Sequence, residues 1–164
     1  MSRFTSRITK TLPLWSIPLL SLLWSAPAHA QCVDFLPLGA PNPLPDTFTH
    51  SGYQFEIAPL TSMSMNDTID VAGNLAHGVR FPPSPGLRVR LPAPSMSVAI
   101  EIGAFHPPDA VTIRGISASG AVVAKISVPA DNLIHAVVLN STTTMVGLWF
   151  SGGGNEAVLI EICS

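Results

Sequence analysis

Past its first thirty residues the sequence is short of positive charge. Only Arg80, Arg88, Arg90, Arg114 and Lys125 remain, against ten acidic residues, a formal net charge of −5. Nucleic-acid binders carry a dense basic face, so nucleic acid is not an expected partner. Tyrosine and tryptophan are nearly missing too: the same stretch holds Tyr53 and Trp149 and no other. Cysteine is limited to Cys32 and Cys163, and neither lies in a catalytic motif. His50, His77, His106 and His135 show no metal-ligand spacing and no nucleophile motif, so an enzyme is not expected. No later segment is long enough to span a bilayer, and no internal repeat divides the chain.

The first thirty residues read as an export leader. Arg3, Arg7 and Lys10 precede an uncharged apolar stretch from Leu12 to Trp24, and Ala28-His29-Ala30 offers small residues at a cleavage site. Pro13 and Pro18 interrupt that stretch, which argues against a membrane span. Cleavage after Ala30 leaves residues 31–164, the size of one domain with a single core, placed outside the cytoplasm. In that compartment the even pair Cys32 and Cys163 reads as a disulfide. Such a bridge sets the first and last segments side by side.

What lies between has the period of strands. Residues 87–91 alternate Leu-Arg-Val-Arg-Leu, and Met96, Val98, Ile100 and Ile102 share one face of 96–102. Runs at 111–116, 122–128, 133–139, 145–150 and 157–162 follow, rich in β-branched residues and separated by Gly, Pro, Asn, Asp and Ser. Residues 53–57 and 33–36 add two earlier strands, residues 37–47 form a proline-rich connection, and Pro92-Ala93-Pro94 marks a turn. The pattern predicts an all-β protein, an antiparallel β-sandwich of jelly-roll type, with an immunoglobulin-like sandwich as the alternative. Gly152-Gly153-Gly154 is followed by a strand and no Lys, so it is no phosphate cradle. It reads as a hairpin turn making 145–150 and 157–162 antiparallel neighbours.

The opening Cys32-Val33-Asp34-Phe35-Leu36-Pro37-Leu38-Gly39 resembles the first strand of small exported bacterial β-sandwich proteins. Gly120-Ala-Val-Val-Ala together with Ser151-Gly-Gly-Gly-Asn-Glu-Ala-Val-Leu is similar to their later half. In plan these chains resemble galactose-binding-like jelly rolls, the fold of many carbohydrate-binding modules. The resemblance implies an extracytoplasmic binding or accessory domain with no catalytic centre to transfer.

Register supplies a sharper expectation. If Cys32 faces Cys163 on antiparallel neighbours, Asp34 falls opposite Glu161. Like charges facing each other are destabilising, and a Ca²⁺ ion is a suitable compensator. Calcium near the chain ends is what the galactose-binding-like resemblance implies as well. The second acidic stretch, Asn66-Asp67-Thr68-Ile69-Asp70, lacks the spacing of an EF-hand and reads as a solvated turn.

A binding module should expose Trp149 or Tyr53 beside polar groups such as Asn66, Asp67 or His50, the candidate glycan contacts. Trp149 has a second reading as core. Arg88 and Arg90 share a strand face, with Glu101 placed across from them, and read as a surface ion pair or an anionic-sugar contact. The competing function is a structural or adhesive surface protein with a protein partner, marked by an exposed apolar face or an unpaired edge.

Overall fold

The computed structural model describes residues 30–59 and 61–164, so the leader, apart from Ala30, lies outside the described residues. Ten strands follow one short 3₁₀ turn at Leu36–Leu38. They are β1 (Asn42–Leu44), β2 (Thr47–His50), β3 (Tyr53–Ile57), β4 (Met63–Ile69) and β5 (Leu75–Phe81), then β6 (Leu87–Ala104), β7 (Val111–Ile116), β8 (Val122–Val128), β9 (Ile134–Gly152) and β10 (Ala157–Cys163). All pairings are antiparallel, and the described residues contain no α-helix.

The order along the sheet is β1-β4-β5-β10-β6-β9-β7-β8, with β3 attached to β6 and β2 to β3. Two long strands, β6 of 18 residues and β9 of 19, run together through the whole molecule. The first part of β6 sits between β3 and the end of β9, while its last part sits between β10 and the start of β9. Their mutual register is interrupted between Arg90 and Ser95 and again before Ser97. Pro92 and Pro94, which cannot donate to a ladder, fall in that gap.

Each half buries one face. Tyr53, Phe55 and Ile57 of β3, Leu87 and Val89 of β6, and Leu148 and Phe150 of β9 point inward, as do Val79 and Phe81 of β5 and Ile100 and Ile102 of β6. The Phe81 and Phe150 rings lie 5.9 Å apart. Their strands are three places apart in the sheet order, about 14 Å at the usual inter-strand spacing. The sheet therefore closes its buried face on itself around one core.

Several expectations are corrected here. Residues 33–36 form no strand; Cys32 makes one isolated bridge to Cys163, and the chain then turns at Leu36. Pro92-Ala93-Pro94 is no turn, since β6 continues through it, and 133–139 and 145–150 are likewise one strand, β9. Asn66 to Ile69 belongs to β4 and is not a loop. Gly152-Gly153-Gly154 has φ values of 85°, 77° and 58°, so each does need the left-handed freedom of glycine. The glycines nevertheless do not make a hairpin: β9 and β10 are not neighbours, the end of β9 pairing with β7 and the first part of β6, and the start of β10 with β5 and the last part of β6. The proline-rich segment does stay off central positions, because β1 pairs only with β4.

Candidate functional site: a basic groove around Trp149

The disulfide joins Cys32 to Cys163 over a sequence separation of 131. Around it, Gln31 and Ser164 exchange backbone hydrogen bonds of 2.9 and 3.1 Å, and Val33 N–H donates to the Ile162 carbonyl at 2.9 Å. The ladder stops there. No bridge pairs Asp34 with Glu161, and the Asp34 carboxylate accepts the Leu36 N–H at 2.9 Å. Glu161 instead stands opposite Glu101 of β6. Among the described residues one group of three potential metal ligands converges, Cys32, Glu161 and Cys163, and its sulfurs are consumed by the disulfide. Calcium takes six to eight oxygens, and this donor set does not fit it.

The five expected glycan contacts are not brought together. Tyr53 is 0% exposed, and its hydroxyl donates to the Gln31 carbonyl and bonds Ser164 Oγ at 2.8 Å. Burial raises its pKa above the ordinary 10.0, against the lowering effect of the Ser164 bond. It is a clamp on the disulfide-linked segments and no sugar platform. His50 Nε2 donates to the Asp34 carbonyl at 2.6 Å, and its ring stacks on Phe35. Asn66 and Asp67 line a separate groove of about 420 Å³ beside Arg80, Phe105, Asn132 and Glu156.

Trp149 alone stands among groups that converge on solvent. It is half-exposed on the outer face of β9, and its Nε1 donates to the Pro85 carbonyl at 2.7 Å, which fixes the ring. The register sets a row across five strands: Glu56 of β3, Arg88 of β6, Trp149 of β9, Arg114 of β7 and Lys125 of β8. The next row reads Gln54, Arg90, Gly147 and Ile116. The Arg114 guanidinium carbon lies 4.7 Å from the indole centre and that of Arg88 lies 5.8 Å from it. They come from the strands on either side of β9, so the ring separates two cations and attracts both. Arg114 Nη1 also donates to Ser151 Oγ at 2.8 Å. Glu101 is not across from Arg88 and Arg90; Gln54 and Glu56 are.

Four of the five cations of residues 31–164 thus share one sheet face. The ion pairs among the described residues number three, His77–Asp67, His106–Glu156 and His135–Asp131, and all of them are histidine–carboxylate. Arg88, Arg90, Arg114 and Lys125 form none of these pairs, although Glu56 faces Arg88 across β3 and β6. Four cations and the one acid of these rows, Glu56, leave an excess of positive charge on this face. Between the rows lies a groove of about 710 Å³, floored at Gly147 and walled by Trp149, Arg88 and Arg90. Glu56 is its one carboxylate, and no histidine lines it.

Strand parity would have placed Arg114 outward on 111–116, but only the strand order sets it beside Trp149. Lys125 was equally hidden. The acidic stretch at the end of β4 serves structure: Asp70 accepts the Ala72 and Asn74 N–H groups at 2.9 and 2.8 Å, the Asn74 side chain at 3.0 Å and the Ile134 N–H at 3.4 Å. The Asn74 side chain is the main cause holding its carboxyl below the usual range.

No protein-family model matches the chain, and no curated protein matches it. Among solved structures, one of an arabinose-bound family-51 α-L-arabinofuranosidase is similar with a TM-score of 0.31 and 11% identity, covering 80% of this chain and 23% of that one. Among the described residues no helix is long and apolar enough to cross a membrane.

Proposed function

We propose that this is an exported, non-catalytic binding domain whose β3–β6–β9–β7 face holds an anionic glycan. The observation that carries the reading is the gathering of Arg88, Arg90, Arg114 and Lys125 around Trp149, four cations in no ion pair and with Glu56 as the one acid in their rows. Uronate or sulfate groups would supply the missing counter-charge through charge-assisted hydrogen bonds. With a guanidinium on each side, Trp149 spaces the cations and is not a bare platform for neutral sugar. The exported setting rests on the leader pattern and is consistent with the disulfide. The folding of the sheet on itself supports the β-sandwich reading, jelly-roll in type, as one domain over residues 31–164.

The test is retention on immobilised polygalacturonate at low and high salt. The protein should bind at low ionic strength and be released by salt. The Arg88→Ala/Arg90→Ala pair, the two arginines that line the groove, should lose about a hundredfold in affinity, about tenfold per arginine at the lower end of a charged hydrogen bond. Unchanged binding by that pair, with the fold intact, would remove the site from consideration.

A second reading, a docking surface for a protein, is favoured by one observation. Ile69, Val71 and Leu75 are all more than half exposed at the end of the β4–β5 hairpin.

A further inference from the structure

The groove is unlike at its two ends. Toward β3 and β6 it is lined by Gln54, Glu56, Arg88 and Arg90; toward β7 and β8 it is lined by Ile116, Ala118, Gly120 and Val122. The second end carries no charged or hydrogen-bonding side chain, and Val122 is 52% exposed there. Gly147 lies between the ends, opposite Arg90 on one side and Ile116 on the other. Its missing side chain leaves the sheet surface open as a trough. A Cβ at 147 would stand 2.9 Å from the Val89 carbonyl oxygen, so the glycine is required by the neighbouring strand as well. Of the two cations in the row beside the apolar end, Arg114 is committed in the other direction, to Ser151 and the Trp149 ring, and Lys125 of β8 does not line the groove.

Resting on the anionic-glycan reading above, we infer that the groove selects an acidic glycan partly capped by small apolar substituents, methyl esters or O-acetyl groups. A free acid group meets Arg88 and Arg90, and the capped neighbour lies over Ile116 and Val122. The spacing requires two separate groups. Arg90 and Ile116 sit two strands apart, about 10 Å, so one substituent cannot serve both ends. In a fully ionised polymer a carboxylate lands on the Ile116–Val122 end with no partner, which burial penalises. In a fully esterified one nothing answers Arg88 and Arg90. Affinity must therefore peak at intermediate substitution.

The experiment compares polygalacturonate with none, about half or nearly all of its carboxylates methyl-esterified, at one chain length and low salt, by calorimetry on the protein recovered from an exporting host. The half-esterified polymer should bind about fourfold more tightly than the free acid, the worth of one buried methyl group. Replacing the apolar end by Ile116→Thr and Val122→Thr, which keeps β-branched side chains in the strands, should erase that preference while leaving the free acid bound. Tightest binding of the free acid, or a preference unchanged in the threonine variant, overturns the inference and leaves the anionic reading standing. Absence of binding to all three polymers overturns both.

Discussion

Replacing both Cys32 and Cys163 by serine should cost most of the stability of this fold while changing its folded form little. The bridge closes a loop spanning 131 positions, and the loop-entropy relation gives about 5 kcal/mol for a loop of that size. Total stability for a domain of this class is about 5–15 kcal/mol, so the loss is decisive. The folded state keeps its other fastenings at that point: the paired Gln31–Ser164 hydrogen bonds, the Val33–Ile162 bond and the Tyr53 hydroxyl. The effect therefore falls on the unfolded chain, which gains room. Urea unfolding followed by Trp149 fluorescence is the assay. With a slope of about 1.5–2 kcal/mol per molar urea, the midpoint should drop by about 3 M, and the slope itself should steepen as more surface is exposed. A drop of less than about 0.5 M with an unchanged slope would refute the reasoning, because the loop would then be closed by residual structure in the unfolded chain.

Other expectations are nearer to single side chains. His77 places Nδ1 2.5 Å from Asp67 Oδ1 and Nε2 3.1 Å from the Phe35 carbonyl. Both partners only accept, so both nitrogens must carry protons. Burial lowers the His77 pKa, but the Asp67 bond, the Phe35 carbonyl and the charges of Asp67 and Asp34 outweigh it and raise the value above 6.5. A raised folded pKa means the contribution is complete below the unfolded value and is lost as pH climbs through the folded one. The urea midpoint should thus fall between about pH 6 and pH 8, more in the native protein than in His77→Gln; equal slopes would discard the clasp. Tyr53→Phe removes the hydroxyl's bonds to the Gln31 carbonyl, which keeps the Ser164 N–H, and to Ser164 Oγ, and should cost about 1 kcal/mol in the same urea assay. As the single tyrosine of the chain, Tyr53 should also ionise above 10.0 in an ultraviolet titration. Calcium and chelator should leave the melting temperature unmoved, since Asp34 is not paired with Glu161 and belongs to no convergent group of three ligands among the described residues; a rise with calcium would contradict that geometry.

Much of the fold could be read where side-chain alternation was clean. Arg88 and Arg90 between Leu87, Val89 and Leu91 pointed outward as expected, and the cysteine pairing held through Gln31–Ser164 and Val33–Ile162. It failed at Asp34 because a carboxylate two residues before a free N–H closes a local turn in place of a ladder. Met63 and Met65 are buried on β4, but the polar residues around them hid the strand. The glycines at 152–154 showed their need for positive φ and not their destination, since a crossing and a hairpin ask the same of the backbone. The basic groove was the hardest to foresee. Its members come from five strands, and which strands lie side by side is a property of the whole sheet that no local pattern carries.

The gap in register between Arg90 and Ser97 works as an expansion joint. A residue inserted there is absorbed where β6 and β9 already run out of step. The same insertion at Val89 turns Arg88 toward the core, and at Ile100 it turns Ile100 and Ile102 toward solvent. Freedom to change length along the β6–β9 spine is therefore concentrated in the few residues around its prolines, where the two long strands already run out of step.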